Sequence, residues 1–173
     1  MYTPTAYFLA HVSAGLVIFC FYPVFTALIS YWFFGFAPAT WSGMLDWMFC
    51  LALPSVTGSL WGFSFGSFFQ SEMTAFQVNL IFILMFNLGA GHTTNLGSGA
   101  NLFARFIASV SPVRYGTEML MYRVLKGSVA EQYLLNQLGY TNGDAKCILA
   151  LAIFAAFCLA MGWINLVRTN RAE

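Results

Sequence analysis

"SPVRYGTEMLMYRVLKG" (Ser111–Gly127) is the stretch on which the fold turns. It carries Arg114, Glu118, Arg123 and Lys126 in a chain of which only 8% is charged. Around it lie long uncharged runs: Met1 to Leu45, Trp47 to Ser71, Met73 to Ala104 and Cys147 to Val167. A soluble domain is about a quarter charged, and this chain is 60% hydrophobic and 18% aromatic. A helix crosses the hydrocarbon core with roughly 20 apolar residues, and each run supplies that length. The composition therefore describes an all-α integral membrane protein. A net charge of +1 offers no basic surface, so no nucleic-acid partner is expected. The N-terminus lacks a basic n-region and a small-residue cleavage site, so it does not read as a signal peptide.

Working outward, four transmembrane helices are expected, at about 7–34, 44–69, 74–91 and 147–167. Pro23 lies inside the first, where it removes a backbone donor and favours a kink. "GFAPATW" (Gly35 to Trp41) ends that span, and Trp41 suits a membrane interface. The second span holds Pro54 and small residues at Gly58, Gly62 and Gly66, a spacing that lets helices approach closely. "QSEM" (Gln70 to Met73) is a short polar turn, so the second and third spans should be antiparallel neighbours.

The region from Gly89 to Lys146 is different. "GAGHTTNLGSGAN" ends the third helix with glycine and small polar residues. Leu102, Phe103, Phe106, Ile107 and Val110 then recur at helical spacing, as do Met119, Tyr122 and Val124 beyond the proline. Neither half is long enough to span. Two short helices broken at Ser111-Pro112 are expected, lying at the interface or dipping into the membrane as a short re-entrant hairpin before the last span. Irregular backbone at that depth survives where protein or a watery cavity covers it. Arg114 and Glu118 are four apart, so they share a helix face and are expected to form an ion pair; the plainer alternative is that they mark the water boundary. Ser128 to Lys146 reads as a polar loop turning at Asn142-Gly143.

Reaction chemistry is nearly absent. His11 and His92 have no ligand-spaced partner, so no metal site is expected. There is no phosphate-binding G-x-x-x-x-G-K-[ST] loop and no nucleophile–base pairing, so no catalytic residue is assigned. Cys20, Cys50 and Cys158 lie within spans, where cysteine behaves as a small apolar residue. Cys147 sits at a span edge; it cannot close a disulfide inside the long loop but could pair with another subunit.

Several segments, in this order, resemble one family: "MYTPTAYFLAHV", "YPVFTALISYWFFGF", "SVSPVRYGTEMLMYRVLKG", "LGYTNGDAKC" and "WINLVRTNR". They look like the ABC-2 type transmembrane domain of the G subfamily of ABC transporters, the White or pigment-precursor type. The pattern "Y-s-x-x-x-Y-x-l-a" is matched by Tyr2, Tyr7, Leu9 and Ala10, and "Y-W-x-x-G" by Tyr31, Trp32 and Gly35. "S-P-x-R-Y-x-x-E" is matched by Ser111, Pro112, Arg114, Tyr115 and Glu118, and "L-G-Y" before a cysteine by Leu138, Gly139, Tyr140 and Cys147. The family's "e-l-P" in the first span is replaced by "AHVSAG", and of its paired loop cysteines only Cys147 fits.

The resemblance implies that residues 1–173 are a partial, C-terminal portion of that domain, its third to sixth spans, from a half-transporter. The ATP and Mg would then sit on a nucleotide-binding domain upstream or on a separate chain, with no cofactor in this one. It further implies a homo- or heterodimer and ATP-driven movement of lipids, sterols or other hydrophobic small molecules. Family cavities are lined by the second and fifth spans, the fifth being the 74–91 helix here. That makes Asn79, Phe82, Met85, Phe86 and Asn87 candidates for the substrate cavity, the alternative being that its aromatics face lipid or neighbouring helices. Counting Lys and Arg places the long loop inside, whereas the family places 97–146 outside and the C-terminus in the cytosol; the family's orientation is preferred. A stand-alone four-helix membrane subunit, a channel or an assembly protein without ATP-driven transport, is the other class that fits the composition.

Overall fold

The computed structural model describes residues 4–33, 40–91, 96, 101–125, 128 and 131–172. Every regular element among them is a helix: α1 (Pro4–Phe33), α2 (Trp41–Gly66), α3 (Glu72–Leu88), α4 (Leu102–Val110), α5 (Pro112–Leu125), α6 (Glu131–Leu138) and α7 (Gly143–Ala172). The 34–39 break, His92, most of the glycine-rich 92–100 segment and Lys126 lie outside the described residues. Three stretches are long and apolar enough to cross a membrane: Thr5–Phe33, Trp41–Gly66, and Glu131–Arg168, which takes in α6 and α7. α3 is shorter, at 17 residues. It rises about 26 Å, near the lower limit for a bilayer core.

α2 is the centre of the bundle. Its start is fixed by Thr40, whose Oγ1 accepts from Gly43 N at 3.2 Å as an N-cap. The Tyr31 hydroxyl of α1 donates to Thr40 O at 3.1 Å and accepts from Thr40 N at 3.2 Å, so the end of α1 is tied to the start of α2. Gly43 permits this, since a Cβ there would lie 2.6 Å from the Tyr31 oxygen. The two helices then run antiparallel: Trp47 Nε1 donates to Ser30 Oγ, Ser55 Oγ to Phe19 O, and Phe63 packs on Phe8. α7 runs parallel to α2. Ser64 Oγ donates to Cys158 O, and Asn165 Nδ2 donates to Ser67 O and to Ser67 Oγ. Gly162 allows that approach, with Ser64 Oγ only 3.1 Å from where a Cβ would stand.

Many outward-facing side chains along the helices are large and apolar, among them Val17, Phe33, Phe76, Leu80 and Ile153. In water such a surface would drive association; in a bilayer it meets hydrocarbon. The buried cluster is small, with Cys50, Met119, Cys147 and Leu151 where α2, α5 and α7 meet.

The 128–146 segment departs from the expected loop, because it contains α6 and because α7 already begins at Gly143. α6 ends in a Schellman motif: Tyr140 N donates to Leu135 O at 2.8 Å, and Gly139 N to Asn136 O at 3.2 Å. Gly139 takes φ +73° there, and Leu96 backbone atoms lie 2.9 Å from the position of a Cβ.

Candidate functional site

The break between α4 and α5 falls at Ser111, as the Ser-Pro pair leads one to expect. Ser111 is fully buried, and its Oγ donates to Phe86 O near the end of α3 at 2.8 Å. The same oxygen accepts from Arg114 N at 3.3 Å and so begins α5. Tyr115 OH donates to Ser109 O at 2.8 Å and closes the hairpin on itself. On the next turn Gly116 presses on α2, where the Pro54 ring stands 2.8 Å from where a Cβ would lie. Thr117 Oγ1 donates to Ala90 O at 3.2 Å. The tip is thus wedged between α2 and α3, and α5 continues between α2 and α7.

The charges of α5 have specific partners. Arg114 and Glu118 do not pair with each other as expected; both turn to the segment that joins α6 to α7. Arg114 Nη2 donates to Gly139 O at 3.1 Å. Glu118, which has no exposed surface, accepts from Asn142 N at 2.6 Å and from Asn142 Nδ2 at 3.0 Å. The spacing placed both side chains on one face correctly, but each found a closer partner in the α6–α7 segment than in the other. Tyr140 OH, also buried, donates to Ala90 O at 2.6 Å. One turn on, Arg123 bridges two helices, with Nη1 2.7 Å from Asp46 Oδ2 of α2 and Nη2 3.4 Å from Asp144 Oδ2 of α7. The sequence reading marked Asn142 as a turn and Tyr140 as part of L-G-Y but not their contacts to α5, nor Asp46, because these are made across tens of residues by tertiary packing alone.

The proposed cavity residues of α3 are divided by the fold. Asn79 Oδ1 accepts from Trp61 Nε1 of α2 at 3.0 Å. Phe82 packs edge-on to Trp61 and to Phe65, at ring separations of 5.6 and 5.1 Å. Phe86 is buried against Trp61 at 5.3 Å and Phe154 of α7 at 6.3 Å. These three side chains hold α3 on α2 and α7, and Asn79 and Phe82 keep partial exposure. Met85 and Asn87 flank that face and are half-buried, Asn87 Nδ2 donating to Ile83 O at 2.9 Å. Trp61, the hub, was missed; its four-residue spacing to Phe65 was the available signal.

Cys147 lies at zero exposure against Cys50, Met119 and Leu151. The thiol expected to reach another subunit is inside the bundle, because α7 begins a turn earlier than expected and carries Cys147 into the α2–α5–α7 junction. Among the described residues, no group of His, Cys, Asp and Glu could hold a metal ion.

A bundle of apolar helices with a short hairpin wedged into one end, where most of its charge is gathered, defines a multi-pass membrane protein. The model of the ABC-2 type transporter family matches residues 1–125, and the chain belongs to that family. It is a membrane component of a transport system, and membership points to association with an ABC nucleotide-binding partner. No curated protein matches the chain.

Proposed function

We propose that this chain is the membrane-spanning part of an ATP-driven half-transporter of the G-subfamily type, moving lipids, sterols or other hydrophobic small molecules. In this reading α1, α2, α3 and α7 span the membrane, and α4–α5 is a re-entrant hairpin on the outer side, with the C-terminus in the cytosol. The observation that carries it is the wedge at Ser111–Pro112. A hairpin too short to span is anchored on Phe86 O and Pro54, inside the bundle, and its charged end is tied to the starts of α2 and α7 by Arg123. The arrangement couples the hairpin to three helices, so movement of any one is felt at the mouth.

A second membrane domain would face this one across a two-fold axis, and ATP and Mg would act on the nucleotide-binding partner. Asn79, Phe82, Met85 and Asn87, all half-buried, are the α3 residues that meet cargo in this reading, with Phe86 buried behind them.

The test is reconstitution of the chain with an ABC nucleotide-binding subunit in vesicles carrying a fluorescent phospholipid or sterol analogue. ATP-dependent movement of the analogue, lost when ATP is replaced by a non-hydrolysable analogue, is the expected result. Passive ion conductance without any ATP-dependent movement would instead establish the channel class.

A further inference from the structure

α5 occupies the space between α2 and α7 over their N-terminal halves. Toward their C-terminal ends the two helices enclose a cleft of about 370 Å³. Trp61, Phe65, Phe68 and Phe69 wall it on one side, Phe157 and Met161 on the other. Ser64 and Cys158 lie at its floor. Ser64 Oγ is engaged with Leu60 O and Cys158 O, so the floor offers little to a polar guest. Phe68 and Phe157 at the rim are 48% and 54% exposed, and the cleft opens sideways to whatever surrounds the spans.

The cleft has a polar end. Phe157, Met161, Asn165 and Arg168 follow one another at helical spacing along one stripe of α7. Asn165, one turn beyond Met161, bonds Ser67. Arg168 is exposed and stands about 10 Å along the axis from Met161. An apolar slot that opens to lipid and runs toward an exposed guanidinium matches an amphiphile with a long hydrocarbon tail and an anionic head. We infer that the α2–α7 cleft holds one acyl chain of a glycerophospholipid whose phosphate is met by Arg168. The lipid is resident rather than cargo: it needs α2 and α7 to span the membrane and needs nothing of the transport cycle.

Trp61 reports on this cleft. The other tryptophans, at 32, 41, 47 and 163, are replaced by phenylalanine, and the protein is titrated in mixed micelles. The probes are phosphatidylglycerol with brominated acyl chains and a diacylglycerol with the same chains. Trp61 is expected to be quenched at lower mole fraction by the phospholipid. Arg168→Gln, at an exposed site, weakens that binding about fivefold, the effect of one cation near a headgroup, and leaves the diacylglycerol curve unchanged. Met161→Phe, which narrows the slot, weakens both. Equal quenching by the two lipids with no response to Arg168→Gln would overturn the assignment, as would no quenching by either. Native mass spectrometry of the unaltered chain and of Arg168→Gln gives a second readout without the tryptophan changes: retained phospholipid on the former and its loss on the latter are expected, and equal retention contradicts the assignment.

Discussion

Glu118 of α5 accepts two hydrogen bonds from Asn142, one from its backbone amide at 2.6 Å and one from its side-chain amide at 3.0 Å. The carboxylate is fully buried, so these two bonds replace the hydrogen bonds it would make to water. Removing the carboxylate leaves the Asn142 amide without an acceptor. Glu118→Ala should cost about 3 kcal/mol of stability, and Glu118→Gln about half of that, since a neutral amide oxygen accepts more weakly. Asn142→Ala keeps the backbone bond and should cost less than Glu118→Ala. Thermal melts of the purified variants in one detergent check the order; equal melting temperatures for all three would contradict it.

Arg123 calls for a smaller effect. Its partner Asp46 is 61% exposed, so solvent screens the 2.7 Å contact. Asp46→Asn should cost less than about 1 kcal/mol, and that cost should shrink as salt is raised. Arg123→Ala should cost more than Asp46→Asn, because it also releases Asp144 and strips the aliphatic stem from between α2 and α7. A double-mutant cycle between positions 46 and 123 at low and high salt measures the pair directly.

Glycines separate by what surrounds them. A methyl at Gly116 would meet the rigid Pro54 ring at 2.8 Å, and one at Gly139 would combine φ +73° with Leu96 backbone at 2.9 Å. Gly139→Ala should therefore cost about 1–2 kcal/mol from the backbone conformation alone, and Gly116→Ala should shift α5 away from α2. By contrast, a methyl at Gly58, Gly62 or Gly66 would have nothing within 4 Å of it. Alanine at those three should leave the stability of the isolated chain within about 0.5 kcal/mol. Melting the five single variants side by side tests the contrast.

Cys147 is predicted to stay reduced in the folded protein. With no exposed surface, it should resist a bulky maleimide in mild detergent and react after denaturation in SDS. Cys147→Ser should leave the non-reducing gel pattern unchanged. A disulfide-linked dimer that disappears in Cys147→Ser would show that the α2–α5–α7 junction opens.

Much of the helical layout was legible because apolar run length and proline position are local signals. The runs gave the long helices α1, α2 and α7, and Ser111-Pro112 gave the break between α4 and α5. α6 was not legible: Glu131, Gln132, Asn136 and Gln137 make it look like loop, and it is held by Leu135 packing and a Gly139 turn that form only in the folded chain. Periodicity put Arg114 and Glu118 on one face, but the choice of partner depended on Gly139 and Asn142, which the Schellman turn delivers. The inward face of α3 was equally hidden. Asn79, Phe82 and Phe86 meet Trp61 and Phe86 also meets Phe154, partners on other helices that the α3 pattern alone does not name.

In the proposed arrangement α4–α5 is a hairpin whose tip lies within the membrane-embedded bundle. Spin labels placed singly at Leu102, Phe106 and Val110 in lipid vesicles test this most directly, because all three side chains face outward. Accessibility to oxygen relative to a water-soluble nickel reagent should rise from Leu102 toward Val110, next to the buried Ser111. A uniformly high nickel accessibility along all three positions would place the hairpin in water and contradict the arrangement.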